Sequence, residues 1–171
     1  MDNVNYNFEI VKILYKSKEE NNNSHYFNKP IILMLMAMTE CMMYDFIDRI
    51  NGFRWDSFPN ITSAVVLSIR SLGKTDVMKK LIKRARITDL FQILPDETLY
   101  DDLDYLNQVR NRIHIQNRFH FSHKDESRVF TNVTLQKAEK SFKNVCEILC
   151  NVYPRWDKTP LPMSNFPDPW S

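Results

Sequence analysis

A chain of 171 residues with only two glycines, Gly52 and Gly73, has little freedom to build tight β-hairpins or phosphate-cradling loops. Both devices place residues at positive φ, where a side chain is strained and glycine is not. The chain is therefore expected to be all-α. Its length suits one domain with a real core, and 43% of its residues are hydrophobic. The expected architecture is a helical bundle of about five or six helices, with one small β-hairpin and an extended Pro-rich C-terminal arm. One domain should cover 1–153 and the tail 154–171.

In chain order, Phe8, Ile10, Val11, Leu14 and Tyr15 mark an amphipathic helix over residues 1–19, and Asn21–Ser24 is a polar break. Pro30 suits the first turn of a central helix running to about Ile50 and ended by Asn51-Gly52. Its uniformly apolar run, Ile31–Met38, is far short of the ~20 residues that span a bilayer, and Glu40, Asp45 and Asp48 follow. Met34, Met36, Met38, Met42 and Met43 read as core or as an adaptable groove. Phe53–Pro59 is an aromatic connector. Helices over 60–71 and 74–86 hinge near Gly73, and the second carries Lys74, Lys79, Lys80, Lys83, Arg84 and Arg86, a basic face that is either solvated or in contact with phosphate. Ile87–Leu94 reads as a short helix. Arg118–Phe121 and Arg128–Thr131 read as the arms of the hairpin, around 122–127. Thr134 is expected to cap a last helix, Leu135–Val152, and five prolines from Pro154 to Pro169 make the tail non-helical.

Between the short helix and the hairpin, Thr98–Asn117 reads as one helix. At about 100° per residue, Leu99, Leu103, Leu106, Val109 and Ile113 form a stripe that should face a core. Arg110 falls inside the stripe and His114 on its edge, with Asn107 and Asn111 beside them and Arg112 on the far side. A guanidinium in an apolar stripe requires a partner, because an unpaired buried charge is costly. Glu40 has the same need in the apolar central helix. The two are expected to meet, either as a structural salt bridge or with Glu40 orienting Arg110 toward a substrate. Arg110 and His114, at i and i+4, stand about 6 Å apart on a helix and can act on one group.

Arg110-Asn111-Arg112-Ile113-His114, preceded by Leu99-Tyr100-Asp101-Asp102-Leu103 and followed by Ile115, resembles the RNxxxH-type signature of the HEPN superfamily. The apolar helix carrying Glu40 and the ending Tyr153-Pro154-Arg155 are also similar to small HEPN-like proteins, so the resemblance covers roughly residues 28–156. Three residues separate Arg110 from His114, fewer than the family's usual pattern. The resemblance implies a helical, usually dimeric domain in which Arg and His of each protomer meet at the dimer cleft and cut RNA without a metal. Many members are toxins or anti-phage effectors.

Metal-free RNA cleavage requires a base for the ribose 2′-hydroxyl, an acid for the leaving oxygen and positive charge for the phosphorane. His114 titrates in the right range and Arg110 is the fixed cation, with Asn111 holding the imidazole or the substrate; Glu40 and Asn107 are supporting residues. One histidine does not readily fill both proton-transfer roles, which makes a homodimer the economical solution. Arg112, Arg118, Lys79 and Lys83 are the candidates for RNA contact. The net charge of +2 is small, so any such contact is local. The chain lacks a Gly-rich phosphate loop, an HExxH and a nucleophile elbow. Cys41, Cys146 and Cys150 are odd in number and lack companion ligands at metal spacing, so neither a disulfide framework nor a metal or cofactor is expected. The start has no basic region followed by an apolar run. A cytoplasmic protein is expected, off the membrane, with RNA as substrate and an antitoxin or regulatory protein as a further partner. The alternative is a non-catalytic helical dimer that binds RNA or a partner protein.

Overall fold

The computed structural model describes residues 2–22, 24–52, 61–71, 73, 77–91, 98–112 and 125–151. Six α-helices lie within them: α1 (Asp2–Glu19), α2 (Asn28–Gly52), α3 (Ser63–Ser71), α4 (Met78–Ile87), α5 (Thr98–Asn111) and α6 (Asn132–Asn151). Two 3-10 turns, Ser24–Phe27 and Glu126–Arg128, precede α2 and α6, and no described residue is in a strand.

Helix α2 is the axis. It touches all five other helices, and twelve of its residues are buried, among them Ile31, Leu35, Met38, Met43, Phe46 and Ile50 at 0–1% exposure. Met36 and Met42 are buried with them, so the methionines are core. Ser24–Gly52 nevertheless contains an 18-residue window with a mean hydropathy of 1.5, long and apolar enough to cross a membrane, although the uniform run alone is short. In the bundle that apolar surface packs against protein. Asn28 Nδ2 donates to Asn132 Oδ1 at one end of α2, and Cys146 Sγ lies 3.8 Å from Met42 Sδ further along, so α2 and α6 run in the same direction. Helix α1 runs against α6, with Tyr15 bonded to Glu139 and Lys18 to Asn132. Its inner face is Val4, Phe8, Val11 and Tyr15, the i, i+4, i+7, i+11 stripe of an amphipathic helix.

Several local expectations give way to other short-range hydrogen bonds. Residues 88–91 are turn, not helix. Helix α4 ends in a Schellman arrangement: Leu90 N–H donates to Ala85 O, Asp89 N–H donates to Arg86 O, and Asp89 takes φ +43°. The cap of α6 is Thr131, whose Oγ1 accepts Thr134 N–H at 3.2 Å; the Thr134 hydroxyl instead donates to Val129 O at 2.7 Å. Arg128–Thr131, expected as a hairpin arm, is 3-10 and turn. Asp125 starts that turn by accepting Ser127 N–H, and the next two apolar residues, Val129 and Phe130, are both buried instead of alternating. The other arm and the reversal, 118–124, lie outside the described residues, as do the aromatic connector 53–59 and the tail 154–171. The described part of the motif helix is α5, which ends at Asn111; Arg112 is in a turn, its N–H donating to Val109 O.

Candidate functional site

Helix α5 presents the expected stripe. Leu99, Leu103, Leu106 and Val109 are 0–5% exposed, which fixes the rotation of the helix and hence the direction of its polar residues. Tyr100, wholly buried, anchors it a second time. Its hydroxyl donates to Ala85 O at 3.0 Å and accepts Phe91 N–H at 3.2 Å, and its ring stacks on Phe91. The hydroxyl therefore binds α5 to the closing turn of α4, a role that the stripe pattern does not reveal.

With that rotation set, Arg110 reaches α2, and Nη1 meets Glu40 Oε2 at 2.5 Å. The acid and the cation that each needed a partner are thus partners of one another. The Glu40 side chain is 19% exposed and that of Arg110 30%, so the pair sits at the rim of the core rather than within it. Asn107, one turn back from Arg110, is buried, whereas Asn111 is exposed. Arg112 is partly buried and has left the α-helix, so it does not occupy the far face that a continued helix would give it. His114 and Arg118 lie outside the described residues. The structure therefore brings together Glu40 and Arg110, with Asn107 buried one turn back on the same helix, Asn111 exposed and Arg112 in the turn beyond.

The acidic run ahead of the motif also has a structural purpose. Asp101 and Asp104 hold Arg86 Nη2 from two sides, at 2.9 Å each, and Asp102 pairs with Lys137 of α6. Helix α5 is thereby tied electrostatically to both neighbours. Sequence reasoning missed these ties, although a basic run over 79–86 followed by an acidic run over 101–104 was a legible sign of complementarity. The same packing corrects the basic face of α4. Arg84 is 6% exposed, with its proton affinity lowered by burial, and Arg86 is held by acids. Lys79, Lys80 and Lys83 are exposed, and Lys74 lies outside the described residues.

Of the cysteines, Cys41 is exposed, while Cys146 and Cys150 are partly buried one turn apart. Burial raises both of their thiols above the usual range, most strongly Cys146, where the neighbouring Cys150 adds to the effect. Among the described residues, no three His, Cys, Asp or Glu side chains converge as metal ligands would. Comparison with known protein families, curated proteins and solved structures finds no match for this chain.

Proposed function

We propose that this protein is a HEPN-like, metal-independent endoribonuclease of a toxin or phage-defence type, acting as a homodimer in the cytoplasm. The observation that carries the reading is the Arg110–Glu40 contact. It fixes a guanidinium at the edge of the core, four residues before the histidine of the motif, and leaves it 30% exposed. A fixed, partly desolvated cation is what a developing phosphorane requires. In this reading His114 takes the proton from the ribose 2′-hydroxyl as that oxygen attacks phosphorus. The same residue of a second copy returns a proton to the departing 5′-oxygen, and Arg110 neutralises the charge between the two events. Asn111 holds the imidazole or the substrate, Glu40 and Asn107 hold Arg110, and Lys79, Lys83, Arg112 and Arg118 contact the RNA. An antitoxin or regulatory protein is the expected partner.

The same contact also favours a second reading. A guanidinium already met by a carboxylate at 2.5 Å is satisfied without substrate, as it would be in a non-catalytic HEPN-like dimer that binds RNA or a partner protein. Ribonuclease activity of purified protein in EDTA, compared with His114→Ala, separates the two. Cleavage abolished in the variant with an unchanged melting temperature supports catalysis; Arg110→Ala should lose activity and stability together, and Arg112→Ala should do less than either. No cleavage by the folded parent protein would replace the enzymatic reading with the binding one, and full activity in folded His114→Ala would take His114 out of the catalytic role. Light scattering tests the dimer, and a monomeric mass at tens of micromolar would count against a shared site.

A further inference from the structure

Helix α4 packs five cations and no acid into ten residues, and the fold treats those cations unequally. Arg84 is buried and Arg86 lies between Asp101 and Asp104. The other three, Lys79, Lys80 and Lys83, are exposed, and no acid among the described residues is within ion-pair distance of them. Lys79 and Lys83 are one turn apart, about 6 Å along the axis, and Lys80 flanks them. Like charges at this spacing repel and weaken a helix. The fold does not need them, because Met78, Leu81, Ile82 and Ala85, all 0–2% exposed, anchor the helix from its other side.

We propose that the outward face of α4 is a sequence-independent track for the phosphate backbone of RNA, with Lys79, Lys80 and Lys83 as its three contacts. The proposal rests on the RNA reading above and deepens it, adding Lys80 to Lys79 and Lys83 and leaving out Arg84 and Arg86 of the same helix. The sorting of residue types supports this. The two arginines, whose planar forks suit directional pairing, are the two drawn into the protein. The three outward cations are lysines, point charges on flexible stems that follow a phosphate chain without reading bases. An anionic membrane is the less suitable partner, because the apolar side of α4 is taken up by the core. Only Val77 and Ile87, 49% and 59% exposed, remain to insert, and an interfacial helix needs a continuous apolar face. Helix α4 and helix α5 also leave a common corner, where Ala85 and Arg86 meet Tyr100, Asp101 and Asp104. The track thus belongs to the helix that packs directly on the one carrying Arg110.

The test uses the full chain with His114→Ala, fluorescently labelled oligouridine and anisotropy in EDTA from 50 to 200 mM KCl. Each lysine contact with single-stranded RNA should contribute about −0.7 to the slope of log K against log salt, so Lys79→Gln/Lys80→Gln/Lys83→Gln should flatten the slope by about 2. Affinity at 50 mM should fall at least about tenfold, equally for oligouridine and oligoadenosine. Arg86→Gln, folded by circular dichroism, should leave the slope unchanged. The proposal is overturned if the triple variant keeps the parent slope, if the parent protein does not bind RNA at 50 mM salt, or if it binds vesicles containing phosphatidylserine in preference to RNA. Failure of the catalytic reading is seen elsewhere, as absence of RNase activity in the parent protein, and leaves the slope test intact.

Discussion

Arg110→Ala removes the cation that meets Glu40 at 2.5 Å and leaves a carboxylate 19% exposed at the rim of the core. Breaking a fully buried pair costs about 3–5 kcal/mol, and a solvent-exposed pair is worth about 0–1. The Glu40–Arg110 pair lies between these limits, so Arg110→Ala should cost about 2 kcal/mol, the magnitude of a charge-assisted hydrogen bond. Glu40→Ala should cost about 1 kcal/mol, because the stranded guanidinium is already 30% exposed and can turn toward water. Both substitutions remove one interaction, so the double variant should lose about 2 kcal/mol rather than the sum, a coupling near 1. For a domain of this size the melting temperature of Arg110→Ala should fall by about 4–8 °C. Urea unfolding of the parent, both single variants and the double variant at pH 7 measures every corner of the cycle. Costs that add to within ~0.3 kcal/mol would refute the pairing and remove the physical reason for holding Arg110 where it is.

Tyr100→Phe should destabilise by about 1–3 kcal/mol despite leaving the ring stack in place, since it strands Phe91 N–H and one bond to Ala85 O in the core; a variant as stable as the parent in urea would contradict this. Asp89→Gly should stabilise by about 0.5–1 kcal/mol by relieving φ +43°, and Asp89→Val should cost at least about 1, both read from thermal melts. Burial, reinforced by the bond to Glu139 and its charge, holds the Tyr15 phenol well above its ordinary range, and burial raises Cys146 and Cys150. In the unfolded chain these groups ionise near ~8.5 for Cys and ~10 for Tyr. Their contribution should be complete below about pH 8 and lost as pH rises, at up to about 1.4 kcal/mol per pH unit for each group charged only when unfolded. Tyr15→Phe should flatten the decline above about pH 10, and equal urea midpoints for the parent at pH 8 and pH 10.5 would dismiss the argument.

Composition and helical period are enough for the fold class and for the rotation of the principal helices. Two glycines leave little room for hairpins, and the residues described are helical without a strand. The period of Leu99, Leu103, Leu106 and Val109 put Arg110 on the inner side of α5, and the apolar surroundings of Glu40 marked it as the acid that needs a cation. These inferences succeed because helical period is local and because buried charge has few ways to be satisfied. Packing settled the competition among rival partners, some in other helices and some only a few residues away. Six cations between Lys74 and Arg86 look alike in sequence, but Arg84 enters the core, Arg86 is held by two aspartates of α5, and three lysines stay outside. Thr134 could cap α6, but Val129 O takes its hydroxyl and Thr131 does the capping. Arg128–Thr131 alternates like a strand, but two of its apolar side chains are drawn together into the core and no partner strand lies beside it among the described residues. In each case the local preference is worth about 1 kcal/mol, and a buried hydrogen bond, an ion pair or an apolar contact in the packed bundle outweighs it.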